Sequence, residues 1–179
     1  MSVRPIVLSD NPLLRQRSRP VREVNSRIQQ LIDDMIETMH AANGIGLAAI
    51  QIGVPERVIV VQLPLEPEDE NEEPGRGELY VVINPEIIRS SREKATDVEG
   101  CLSVPGLVGE VARPNAVTIG GMDRHGKPLR IKARDMLARV FQHEIDHCDG
   151  ILFIDHIADG SKLWRLEELE EKEEELETV

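Results

Sequence analysis

Apolar residues recur at helical spacing in two stretches of this chain. In the first, Ile28, Leu31, Ile32, Met35, Ile36 and Met39 follow at intervals of three and four. That spacing predicts an amphipathic helix with an apolar stripe against a core. Asn25 or Ser26 supplies its N-cap, and it ends over residues 40–44. In the second, Met136, Val140, His143 and His147 share one face. This helix stops at Asp149 and Gly150, where glycine can take the left-handed cap. Between the two, short runs at 57–63, 80–85, 87–90, 109–112, 117–119 and 128–133 read as strands. Residues 6–8 and 151–154 are also apolar and strand-like, and Asn11-Pro12 marks a turn. Residues 123–127 form a hairpin-type turn, with His125 exposed at its tip. A last helix runs over 161–179, with Leu163, Leu166 and Leu169 as its seam. The expected class is α+β, as one domain over residues 1–179.

Composition narrows the functional classes. Hydrophobic residues make up 40% of the 179 and aromatics only 2%, so the core is aliphatic. The formal net charge of −12 argues against non-specific binding to a nucleic-acid backbone. No apolar run reaches the ~20 residues of a membrane helix, and no apolar signal stretch opens the sequence. A cytoplasmic location is therefore expected, with Cys101 and Cys148 as free thiols rather than a disulfide. Residues 66–78 contain an acidic run that repels itself and reads as a solvated surface loop. The last helix carries eight glutamates between Glu167 and Glu177.

The chemistry centres on His143-Glu144-Ile145-Asp146-His147. Residues four apart on a helix stack on one face, so both imidazoles can meet one metal ion. Glu144 lies beside that face, where a carboxylate can handle the proton of a metal-bound water. Two core histidines satisfied by hydrogen bonds are the plainer alternative. A catalytic metal needs at least a third ligand. The long metzincin motif fails, because its last histidine would fall at Phe153. A zinc metallopeptidase would recruit a downstream carboxylate such as Glu167 or Glu168. Upstream, Cys101 offers a thiolate beside a glycine, whereas Cys148 points about 100° from His147 and reads as packing. A structural metal module is the third reading, but it has no need of Glu144. Residues 44–49 imitate a G-x-G-x-x-A nucleotide fingerprint, yet they follow a helix rather than a strand.

Three motifs occur in order: G-I-G-L-A-A-I-Q at 44–51, E-G-C-L-S at 99–103 and Q-H-E-I-D-H at 142–147. Together they resemble the motifs of peptide deformylases, over most of the chain. The resemblance implies antiparallel strands wrapped around a central metal-binding helix, with a C-terminal helix. It implies a hydrolase that removes the formyl group from N-terminal formylmethionine of nascent proteins and releases formate. By position it gives Cys101, His143 and His147 as metal ligands and Glu144 as the acid–base group. Gln51 and the Leu102 amide match the holders of the formyl oxygen, and Gly46 matches a substrate backbone contact. Ile45, Met136 and Val140 are the expected methionine pocket. Fe²⁺ is the implied ion, with Zn²⁺, Ni²⁺ or Co²⁺ as substitutes. The partners implied are formylmethionyl nascent peptides near the ribosome, without direct nucleic-acid or membrane binding. Docking through the C-terminal helix is not carried over, because here that helix is glutamate-rich. Glu99 and Arg113 are expected to pair and fix the cysteine loop.

Overall fold

The computed structural model describes residues 2–67 and 73–177. Eight described strands form two antiparallel sheets. In the larger, β1 (Gly46–Ala48), β2 (Val58–Pro64), β3 (Arg76–Ser90), β6 (Ala116–Met122) and β7 (Pro128–Arg134) lie side by side in that order. The smaller holds β4 (Lys94–Cys101), β5 (Val104–Pro114) and β8 (Leu163–Arg165). The helices are α1 (Ser26–Ala41), α2 (Asp135–Cys148) and α3 (Leu166–Glu177). No helix among the described residues is long and apolar enough to cross a membrane.

The alternation of β2 shows how the layers assemble. Val58 and Val60 pack with Ile28, Ile32 and Met35 of α1. Ile59 and Val61 point the other way and pack with Val140 and Phe141 of α2. The larger sheet is thus covered on both faces, which is why this antiparallel strand reads as a continuous apolar run. A third cluster joins Val104 and Val111 of β5 to Leu152 and Phe153. α2 packs on both sheets, and ten of its residues are buried. Its polar residues are tied to the smaller sheet: Gln142 Nε2 donates to Pro114 O at 2.9 Å, and Arg139 Nη2 to Ala95 O at 2.8 Å. Asn25 caps α1, its side chain accepting from Ile28 N.

Several elements depart from the sequence pattern. Residues 6–8 are a strap rather than a strand. Val7 N donates to Gln51 O and Ser9 N to Ser103 O, single bonds to two different segments instead of a ladder. Residues 151–154 lead into a 3₁₀ turn, Phe153–His156, in which Asp155 accepts from Leu152 N. Burial of Leu152 and Phe153 accounts for that apolar run without a partner strand. The runs at 80–85 and 87–90 are one strand, β3. Asn84, at φ 52°, and two register shifts absorb the irregularity around Pro85. β4 was not legible at all. Within the acidic stretch, Arg76–Glu78 belong to β3, while residues 68–72 lie outside the described residues. The last helix starts at Leu166, because Leu163–Arg165 pair with β5 first.

Candidate metal centre

The register of the smaller sheet breaks between Gly100 and Cys101, which ends β4 against α2. There Cys101, His143 and His147 offer one ligand atom each, all within 4.8 Å of one another. Cys101 Sγ lies 3.4 Å from His147 Nε2. A sulfur and a nitrogen sharing a tetrahedral ion at ordinary bond lengths sit roughly 3.5 Å apart. The three groups therefore fit a divalent ion with one coordination position left over. Burial, with the neighbouring His143 and Arg113, lowers His147 well below the usual histidine value and keeps it neutral, as a ligand must be.

A buried carboxylate orients the other imidazole. Glu99 Oε1 is 2.9 Å from His143 Nδ1, which leaves Nε2 for the ion. Arg113 donates to both Glu99 oxygens, at 2.6 and 3.0 Å, and Arg139 Nη1 to Oε2 at 2.6 Å. Burial alone would raise Glu99, but hydrogen bonds from His143 and Arg113 outweigh it and hold the carboxyl at about 2. Burial likewise disfavours charge on His143, yet Cys101 and Glu99 overcome it and favour a cation on the ring. The same groups favour a divalent cation in place of that proton. Arg113 also reaches Asp146, which meets His156 at 2.8 Å. Phe153 stacks on the His143 ring, with centroids 6.2 Å apart.

Glu144 is 4% exposed, and its Oε2 has no hydrogen-bond partner. Burial pushes its carboxyl up to about 7, with His143 pulling the other way. An unpartnered buried acceptor at a cavity wall is set up to receive a proton from something that enters. Gly46 of β1 makes room for it: a Cβ there would lie 2.5 Å from Glu144 Oε1. Gln51 is held by two bonds. Its Oε1 accepts from Ala48 N at 2.9 Å, and its Nε2 donates to Ser103 Oγ at 3.1 Å. The same Nε2 is 3.6 Å from Cys101 Sγ, so one amide hydrogen faces the metal position.

A cavity of about 550 Å³ opens onto this centre. Ile45, Gly46, Gln51, Cys101, Leu102, Met136, Val140, His143 and Glu144 all line it, and His147 lies behind. Val140 is deep, whereas Ile45 and Met136 are at the exposed mouth. Cys148 is buried and free, and burial raises its thiol to about 12. It stands apart from the ligand trio, as do the exposed Glu167 and Glu168.

The polypeptide deformylase family model matches residues 3–163. The chain belongs to the polypeptide deformylase family. It is 48% identical over 158 residues to a peptide deformylase of Rhizobium meliloti, covering 88% of this chain and 87% of that one. A peptide deformylase of Thermomicrobium roseum is 46% identical over 172 residues, covering 96% of each. Among solved structures, the peptide deformylase of Ehrlichia chaffeensis matches with a TM-score of 0.80 at 40% identity, covering 96% of this chain and 97% of that one. A second structure of that protein is a complex with actinonin. Sequence reasoning missed Ser103 and Arg139. Arg139 lies four residues before His143 on the same face, and a buried arginine there demands a carboxylate partner. That was the available signal for the double use of Glu99.

Proposed function

We propose that Glu144, Gln51 and the Leu102 amide carry out deformylation at an ion held by Cys101, His143 and His147. As a family member the chain is a metal-dependent hydrolase that takes the formyl group from formylated N-termini. The single observation that carries the assignment of roles is the juxtaposition of the ligand trio with the unpartnered Glu144 in one cavity. A divalent ion bound there supplies Lewis-acid activation, lowering the pKa of water toward neutrality. Glu144 accepts a proton from the attacking water and returns it to the leaving amine, a task suited to a carboxyl near 7. Gln51 Nε2 and the Leu102 N–H donate to the formyl oxygen as it gains charge. One such donor is worth ~3–4 kcal/mol. The Gly46 backbone hydrogen-bonds the substrate backbone beside Glu144. Ile45, Met136 and Val140 receive the methionine side chain.

One thiolate and two imidazoles suit Fe²⁺, Zn²⁺, Ni²⁺ and Co²⁺. We assign Fe²⁺ as the working ion and the cytoplasm as the compartment, with formylmethionyl nascent peptides as substrates near the ribosome. The acidic C-terminal helix is not given a docking role. The test pairs metal analysis of anaerobically purified protein with formate release from a formylmethionyl peptide. Iron-loaded protein should be fast and lose activity in air as iron and Cys101 oxidise, while the nickel form stays active. A zinc form that is fastest, with an iron form indifferent to air, would sink the iron assignment.

A further inference from the structure

We propose that Leu166, the first residue of α3, determines specificity by forming an outer wall of the substrate cavity that selects apolar side chains after the formylated residue. The inference rests on the deformylase reading and deepens it. Leu166 lies beyond the 3–163 span that the family model matches, so nothing in that match gives it a role. It nevertheless lines the same cavity as Gln51, Cys101 and Glu144, together with Val98, Leu107 and Val108. A cavity of about 550 Å³ is in the range that encloses drug-sized ligands, more than a formyl group and one side chain require.

The wall is built rather than incidental. β8 pairs with β5 at Leu107↔Arg165, Val108↔Trp164 and Gly109↔Leu163, and this pairing delivers Leu166 directly after Arg165. Lys162 ties the approach to Glu110 at 3.2 Å. Only glycine at 109 allows so close an approach, since a Cβ there would collide with Ile157 and sit 3.0 Å from Lys162 O. Leu166 remains 41% exposed, so much of its apolar surface is available to a ligand. With Val98, Leu107 and Val108 it offers no hydrogen-bonding side chain. An apolar side chain gains contact there, whereas a charged one finds no side-chain partner on these four residues and gains nothing from them.

The test measures kcat and KM for formate release by the metal-loaded enzyme. The substrates are formylmethionine amide, formyl-Met-Leu-Leu amide and the lysine and aspartate counterparts of the latter. For Leu166→Ala, KM for the leucine peptide should rise roughly tenfold, the effect of losing one to two methylenes of apolar contact. Its kcat, and both constants for the short amide, should stay put. Leu166→Met should recover most of the loss. Equal changes on short and long substrates, no change on either, or wild-type preference for the lysine or aspartate peptide would each overturn the inference while leaving deformylation intact. Absence of formate from every substrate would instead overturn the deformylase reading, and this inference with it.

Discussion

Gly46→Ala gives the sharpest test of the catalytic geometry. The glycine sits in β1 and its φ is not positive, so alanine is compatible with the backbone. The clash is with side chains: the new methyl would lie 2.5 Å from Glu144 Oε1 and 2.9 Å from both Glu144 Cδ and Val140 Cγ1. Ordinary contact between such atoms is about 3.5 Å, so the carboxylate must retreat by roughly 1 Å. Glu144 is 4% exposed and lines the cavity, so its carboxylate can give way only by leaving its present place there. A displacement of that size at a reacting group costs ~10²-fold, or about 2.7 kcal/mol of transition-state stabilisation. None of the three ligands is among the atoms nearest the new methyl. We expect kcat to fall by about two orders of magnitude while metal content, measured by atomic absorption, stays at one per chain. A kcat within threefold of wild type would refute the geometry. So would loss of the metal in parallel with activity.

Glu144→Gln keeps the shape but removes the proton acceptor. Its rate should fall by ~10²–10⁴ with the metal retained. Because the base must be ionised and its pKa is raised, wild-type kcat/KM should climb as pH rises through the titration of Glu144. The glutamine variant should lose that limb, and a limb that survives would assign it elsewhere. Cys101→Ser should abolish tight metal binding, whereas Cys148→Ser should not. In the folded protein the Cys148 thiol, raised to about 12, should resist alkylation by iodoacetamide at pH 8. Asp34, 2% exposed, accepts from Ser2, Arg4 and Gln30. Burial opposes its charge, but these bonds hold it below its ordinary 3.8. A depressed folded value gives stability that is complete above 3.8 and is lost as pH falls through the lower folded value. Urea midpoints should therefore drop less between pH 7 and pH 3 in Asp34→Asn than in wild type. An equal drop would remove Asp34 from the acid response.

The proposed ligand trio was legible by two routes. Soft-ligand chemistry left Cys101 open, and its place in the E-G-C-L-S motif decided it; His143 and His147 follow from helical periodicity. α1 and its Asn25 cap were legible for the same reason. What stayed hidden depends on partners distant in sequence. Lys94, Thr96, Asp97 and Glu99 give β4 no apolar alternation, since the strand is held by its ladder to β5 rather than by its own burial. β8 looked like the start of a helix because Leu163 and Leu166 fit a helical seam equally well. Only the pairing with β5 decides for a strand. The Glu99–Arg113 pair was foreseen at 14 residues' separation. The link from Glu99 to Arg139, 40 residues apart, was not, because no spacing rule joins a strand to a helix face.

The three proposed ligands come from two layers of the molecule. Cys101 belongs to the smaller sheet, while His143 and His147 belong to a helix that also seals the larger sheet. An ion bound by all three is therefore a cross-link between layers, closing a loop of about forty residues without a disulfide. Such a ligand stabilises the folded state by mass action, by ~2.7 kcal/mol at a free concentration one hundred times its Kd. The thermal midpoint then becomes a readout of metal supply. A cell short of the ion would lose this protein through unfolding and proteolysis as well as through idle active sites, so its abundance would follow the metal.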